Sequence, residues 1–211
     1  MSLSMFEEKM PNQVTEEVGQ FCEEVAPGQK PIYVPVQPTV EAELDQCHLN
    51  VEEHVKSNGG TPVYGWIVWQ SPALLHALFH CNWLSPDGEL VDITPKADGE
   101  RKVLFLPDPT NQWTGRSLPC RRKARRSNTP LLQWVKVHEQ MDTIRVSYLP
   151  GQRFSPFDEF RFLDLMLQAG KLELAISGSW SANPEEQIRT VDRRSSRKAD
   201  RQRRKQQRRR K

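Results

Sequence analysis

A thiol, an imidazole and a carboxylate occur in the order Cys47, His80 and Asp92 along this 211-residue chain, and local signals around each favour chemistry. Asp45 stands where a helix N-cap belongs, and Leu49, His54 and Val55 follow on a helical stripe that ends at Asn58-Gly59-Gly60. Cys47 therefore falls in the first turn, where the partial positive charge of a helix end favours thiolate. An imidazole held by a carboxylate is the general base such a nucleophile needs, because the carboxylate fixes the tautomer and leaves the other ring nitrogen free to take a proton. Attack of the thiolate on a carbonyl carbon would follow. The oxyanion would be received by the Cys47 backbone N–H, with Gln46, Asn50 or an indole such as Trp66 or Trp83 as further oxyanion or substrate-groove candidates.

The pairing of His80 with Asp92 can be argued twice. Residues 76–84 and 89–94 are candidate strands joined by Ser85-Pro86-Asp87-Gly88. Pro at the second turn position and Gly at its end suit a three-residue loop that sets Ser85 opposite Glu89. In that register Phe79, Cys81 and Trp83 share a face with Val91 and Ile93, while His80, Asn82, Asp92 and Thr94 gather on the other. A shift of one residue would mix apolar and polar side chains on both faces, so the hydrophobic pattern selects the same register as the turn. His80 and Asp92 become diagonal neighbours about 7–8 Å apart at the backbone, within reach of a side-chain hydrogen bond.

The remaining elements are read more coarsely. Residues 12–25 suit a short acidic helix, Ile32-Tyr33-Val34 a brief strand between prolines, Tyr64 to Gln70 a buried strand and Val103 to Leu106 another. A Pro/Asn-rich loop leads to a basic cluster of Arg121, Arg122, Lys123, Arg125 and Arg126. Thr129-Pro130 caps a helix to about 140, and Thr143 to Leu149 alternates like a strand. Ser155-Pro156 starts a helix stopped by Gly170, Leu172 to Ile176 suits a last strand, and Asn183-Pro184-Glu185-Glu186 opens a further helix. The expected fold is α+β, a small antiparallel sheet flanked by helices with a thiol-hydrolase-like core. It divides into an N-terminal helical segment (1–25), the α+β domain (26–180) and a basic tail (181–211).

Composition supports the division. Only 36% of residues are hydrophobic and mean hydropathy is −0.69, low for a chain wholly packed in a core. Residues 189–211 hold thirteen Lys/Arg against two Asp, a charge of +11, whereas the rest has seventeen basic against twenty-five acidic residues, −8. Within the tail, Arg203, Arg204, Lys205, Arg208, Arg209 and Arg210 join the 121–126 cluster as candidate phosphate contacts. The tail has no aromatic residue to stack on bases, which argues against base-specific single-strand binding. No apolar run reaches the ~18 residues of a membrane span. The N-terminus lacks a signal-peptide layout, and four cysteines without a CxxC pair fit free thiols in the cytoplasm.

Phe79-His80-Cys81-Asn82-Trp83 followed by Leu90-Val91-Asp92-Ile93-Thr94-Pro95, after a Cys on a helix, resembles the core of transglutaminase-like and papain-like thiol enzymes. That resemblance implies a cysteine-dependent acyl-transfer enzyme (peptidase, amidase, deamidase or transglutaminase) acting on a protein or peptide, without a cofactor. Cys47 with Asn50-Val51, Gly59-Gly60, Gly65-Trp66 with Trp69, Ser85-Pro86-Asp87-Gly88 and Phe105-Leu106-Pro107-Asp108-Pro109 also resemble a set of bacterial proteins labelled SecC-like zinc-chelation proteins. The Cys-rich metal motif behind that label does not occur here, so the resemblance carries no zinc.

Three other readings compete. A non-enzymatic RNA- or DNA-binding protein could use the same core as a scaffold. His76 could replace His80 in the site, although His76, His48 and His54 read most simply as surface residues. His76, His80, Cys81 and Cys47 could bind zinc, but His80 and Cys81 point to opposite faces of a strand, so no metal site is expected.

Overall fold

A computed structural model describes residues 5–149 and 151–180. Among the described residues four helices surround one antiparallel sheet, so the α+β class and the helix-flanked sheet hold. The first helix, α1 (Glu16–Val25), is capped by Thr15, whose hydroxyl accepts from the Val18 N–H. The strands are β1 (Ile32–Pro35), β2 (Thr61–Gln70), β3 (Leu74–Leu84), β4 (Leu90–Val91), β5 (Lys102–Pro107) and β6 (Arg121–Ala124). Between β1 and β2 lies α2 (Cys47–Asn58), and α3 (Thr129–Val146) and α4 (Pro156–Trp180) are the last elements of the described residues.

Sheet order is β1-β5-β2-β3-β4, with β6 on the edge of β3. The two ends of that path meet. The Asp92 N–H donates to the Pro35 carbonyl at 2.9 Å, and the Gln37 N–H donates to the Asp92 carbonyl at 2.8 Å. The sheet is thus curled nearly into a barrel around Val34, Ile67, Val103 and Phe105, to which Val36 and Leu90 add from its two ends. Its opposite face carries Trp66, Val68, Leu75, Ala77, Phe79, Leu104 and Leu106, covered by Val18, Phe21 and Cys22 of α1. Gly65 lets β2 and β5 approach closely, since a Cβ there would lie 2.2 Å from the Leu106 carbonyl oxygen.

The hairpin register follows the turn chemistry. Trp83 pairs with Val91 and Leu84 with Leu90, while the Ser85 N–H donates to the Glu89 carbonyl at 2.8 Å. Gly88 takes the left-handed conformation that closes the loop, with φ 87°.

Several boundaries differ from expectation, each because distant packing overrides a local signal. Asp45 is not the N-cap: it adopts φ 61°, Gln46 occupies the cap without a side-chain bond, and Cys47 becomes the first helical residue. Residues 143–146 continue α3 instead of forming a strand, because Trp134, Val137, Met141 and Ile144 keep one helical stripe against the α4 core. Gly170 does not stop α4, and 172–176 are helical, because Leu165, Ala169, Leu172 and Ile176 continue the stripe that packs on α3. The expected helix at 183–186 and the basic tail lie outside the described residues.

Candidate functional site

On the edge of β3 away from β2, β6 pairs only as far as Ala77 and β4 begins only at Trp83. The N-terminus of α2 fills this gap, anchored by Val51 against Cys81, Val91 and Ile93. That seat sets Cys47, 8% exposed, beside His80, whose charge acts on its thiol, while the sulfur's hydrogen bond is to His48 Nδ1 at 3.3 Å. The His80 Nε2 lies 2.9 Å from Asp92 Oδ2, which leaves Nδ1 as the ring nitrogen not held by the carboxylate. Cys47, His80 and Asp92 therefore lie together, with His80 3% exposed and Asp92 fully buried.

The carboxylate is held from three sides. Barrel closure at Pro35 and Gln37 fixes its backbone. Its Oδ1 accepts the Thr94 N–H at 3.0 Å, and Lys96 Nζ sits 2.7 Å from Oδ2. Asn50 then ties this strand to the cysteine's helix: its amide donates to Thr94 Oγ1 at 3.1 Å and to the Glu43 carbonyl at 2.8 Å. A rigid link between the elements bearing thiol and carboxylate is what a preorganised site requires.

Electrostatics follow from this geometry. Burial by itself would raise the Cys47 pKa, but the positive His80 ring and hydrogen bonds from His48 and His80 outweigh it and hold the thiol well below its usual range. Burial likewise disfavours a charged His80, yet the Cys47 thiolate and the Asp92 carboxylate push its pKa up to about 9. Asp92 is held below the ordinary carboxylate range because the His80 and Lys96 charges overcome its desolvation. Both shifts run in the direction of a thiolate–imidazolium pair.

Among the other sequence candidates, Gln46 borders the same cavity as Cys47. Asn50 is occupied by Glu43 and Thr94. Trp66 is buried with its indole N–H on Asp108 Oδ2 at 2.9 Å, and Trp83 donates to the Gly59 carbonyl at 3.0 Å, so both indoles are engaged away from the sulfur. His76 bonds Glu8 at 2.8 Å, four residues along β3 from His80. Cys81 turns its sulfur toward the Asn82 carbonyl, and no group of three or more His, Cys, Asp or Glu that could hold a metal comes together among the described residues.

The basic cluster is largely engaged within the protein. Arg122 pairs with buried Asp142, Lys123 with Glu24, and Arg125 with Glu17 at 2.7 Å and the Ser71 carbonyl at 2.8 Å. Arg121 lies 5.9 Å from the Trp66 ring, and Arg126 follows in the bend after β6. Arg203, Arg204, Lys205, Arg208, Arg209 and Arg210 lie outside the described residues.

Sequence reasoning missed three neighbours. His48, expected on the surface, is buried, stacked 4.2 Å from Trp113 and 5.1 Å from Phe79, with Nδ1 3.3 Å from the Cys47 sulfur. Its position beside Cys47 was the one available signal. Trp113 and Lys96 come from loops with no periodicity to mark them. A cavity of about 760 Å3 opens on the sulfur and is walled by Trp69, Leu78, Trp113, Leu118, Tyr148 and Phe154. No family model, curated protein or solved structure matches the chain.

Proposed function

We propose that the protein is a cysteine-dependent acyl-transfer enzyme, and the observation that carries this reading is the buried His80–Asp92 hydrogen bond beside Cys47, whose thiol the His80 charge holds low. Thiolate attack on a substrate carbonyl forms the S–C bond. The oxyanion meets the Cys47 backbone N–H, which as the first N–H of α2 has no intrahelical partner, and Gln46 stands at the same cavity. Collapse breaks the bond to the leaving group, which takes the proton from His80 and departs as an amine or alcohol. Water or an amine then gives its proton to His80, attacks the thioester and regenerates the thiolate.

The mostly apolar cavity suits a protein or peptide acyl donor with an aromatic or aliphatic side chain beside the reacting carbonyl. Four free cysteines fit a reducing, cytoplasmic setting, and no helix among the described residues is long and apolar enough to cross a membrane. The test is mass spectrometry of the full chain after incubation with aryl esters and glutamine-containing peptides. A hydroxylamine-sensitive adduct on Cys47, absent in Cys47→Ser and Cys47→Ala, is expected. No adduct and no turnover across those acyl donors would overturn the reading.

The charge of +11 over 189–211 favours an added or alternative role, a nonspecific grip on RNA or DNA. Gel shifts with the full chain and with a chain ending at 188 decide it, because undiminished affinity in the shorter chain would remove the tail as the source.

A further inference from the structure

The helix α4 is apolar on two opposite sides. One side, with Leu165, Ala169, Leu172 and Ile176, packs against α3. The other carries Phe160, Leu163, Leu167 and Leu174, with Phe157 on one flank and Met166 on the opposite flank, each between 50% and 76% exposed. Residues 160, 163, 167, 170 and 174 follow a three-four spacing, the seam of a two-helix coiled coil. Seam and flanks together expose on the order of 700 Å2, close to the ~800 Å2 that each partner contributes to a standard stable interface. A patch of that size marks a binding face, not scattered surface.

We infer that this face of α4 joins two copies of the chain as an antiparallel helix pair with its two-fold axis near Leu167. Each Leu167 then meets its counterpart, and Phe160 lies beside Leu174 of the second copy. Gly170, where an added Cβ would have nothing within 4 Å, lets the helices come close. Charge selects both partner and direction. Asp164 and Lys171 share one flank of the seam, so the two-fold sets Asp164 of each copy against Lys171 of the other. A parallel pair would instead set Glu159 against Asp164. The antiparallel arrangement brings Glu159 toward Glu173, but Glu173 is turned away to the Trp134 indole N–H at 2.9 Å. The helix carries four acids against two bases, which disfavours an anionic membrane as the occupant.

Sedimentation of the full chain at rising concentration tests this. A dimer is expected for the wild type and a monomer for Leu167→Glu or Leu174→Glu, with the far-ultraviolet spectrum unchanged because both positions are exposed. Asp164→Lys should weaken the dimer on the order of tenfold or more by facing Lys with Lys, and adding Lys171→Asp should restore it. Leu167→Cys should form an intermolecular disulfide under mild oxidation. A wild type that stays monomeric, or a dimer indifferent to Leu167→Glu, overturns the inference. So does a monomer that binds phosphatidylserine vesicles through the same residues, which would make lipid the occupant.

Discussion

Replacing His80 by Gln removes the ring whose charge holds Cys47 as thiolate, while Lys96 at 2.7 Å still neutralises the buried Asp92. The effect can be worked against Cys22, whose thiol burial pushes up to about 11. At pH 7 such a thiol is ionised to about one part in 10,000, whereas even the ordinary cysteine value of 9.0 gives about one part in 100, and Cys47 is held well below it. Intrinsic nucleophilicity falls with pKa along a slope of ~0.4–0.5, which returns about half of that gain. Cys47 should therefore react with iodoacetamide more than about tenfold faster than Cys22. Its rate should rise less steeply from pH 6 to 8 than the about tenfold per unit of an ordinary thiol. Quenched labelling followed by peptide mass spectrometry reads each cysteine separately. In His80→Gln the Cys47 rate should acquire the ordinary slope and drop about tenfold or more at pH 6. A wild-type Cys47 that already rises tenfold per unit, or a His80→Gln profile that matches the wild type, would refute the thiolate–imidazolium pair.

Three further outcomes concern stability. His80 binds its proton more tightly when folded, so its contribution to stability is full below 6.5 and fades as pH rises through about 9; the lowered Cys47 thiol contributes in the opposite sense, growing up to 9.0. The slopes oppose each other, so wild-type stability in urea should vary little between those values. Arg122→Ala strands Asp142, 3% exposed, with only the largely solvent-facing Arg145, and should cost about 3 kcal/mol in urea unfolding. Gly65→Ala drives a Cβ into the Leu106 carbonyl and the Phe105 ring at 2.2 Å and 2.6 Å, and should lower stability by about 2 kcal/mol or more, read as a fall in Tm.

Local chemistry was enough to read much of the candidate site. A Pro-Asp-Gly loop and strict alternation both act over a few residues, and because strand side chains repeat every two positions, one register places His80 and Asp92 on one face and Phe79 and Val91 on the other. Asp45, read as the cap, placed Cys47 in the first turn of a helix that Asn58-Gly59-Gly60 ends; Cys47 is the first helical residue, although Gln46 takes the cap position. Tertiary packing decided the rest. Whether α3 and α4 run past their local break signals depended on each helix covering the other's apolar stripe. The seat of Cys47 against His80 needed a gap between β6 and β4, strands far apart in sequence. His48 is buried only because Phe79 and Trp113 stack on it, and the 121–126 cations are paired only because α1 and α3 bring Glu17, Glu24 and Asp142 to them. Periodicity along one segment records which face is apolar; it holds no information about which distant segment will cover that face, and that choice is made by the burial and charge pairing of the whole fold.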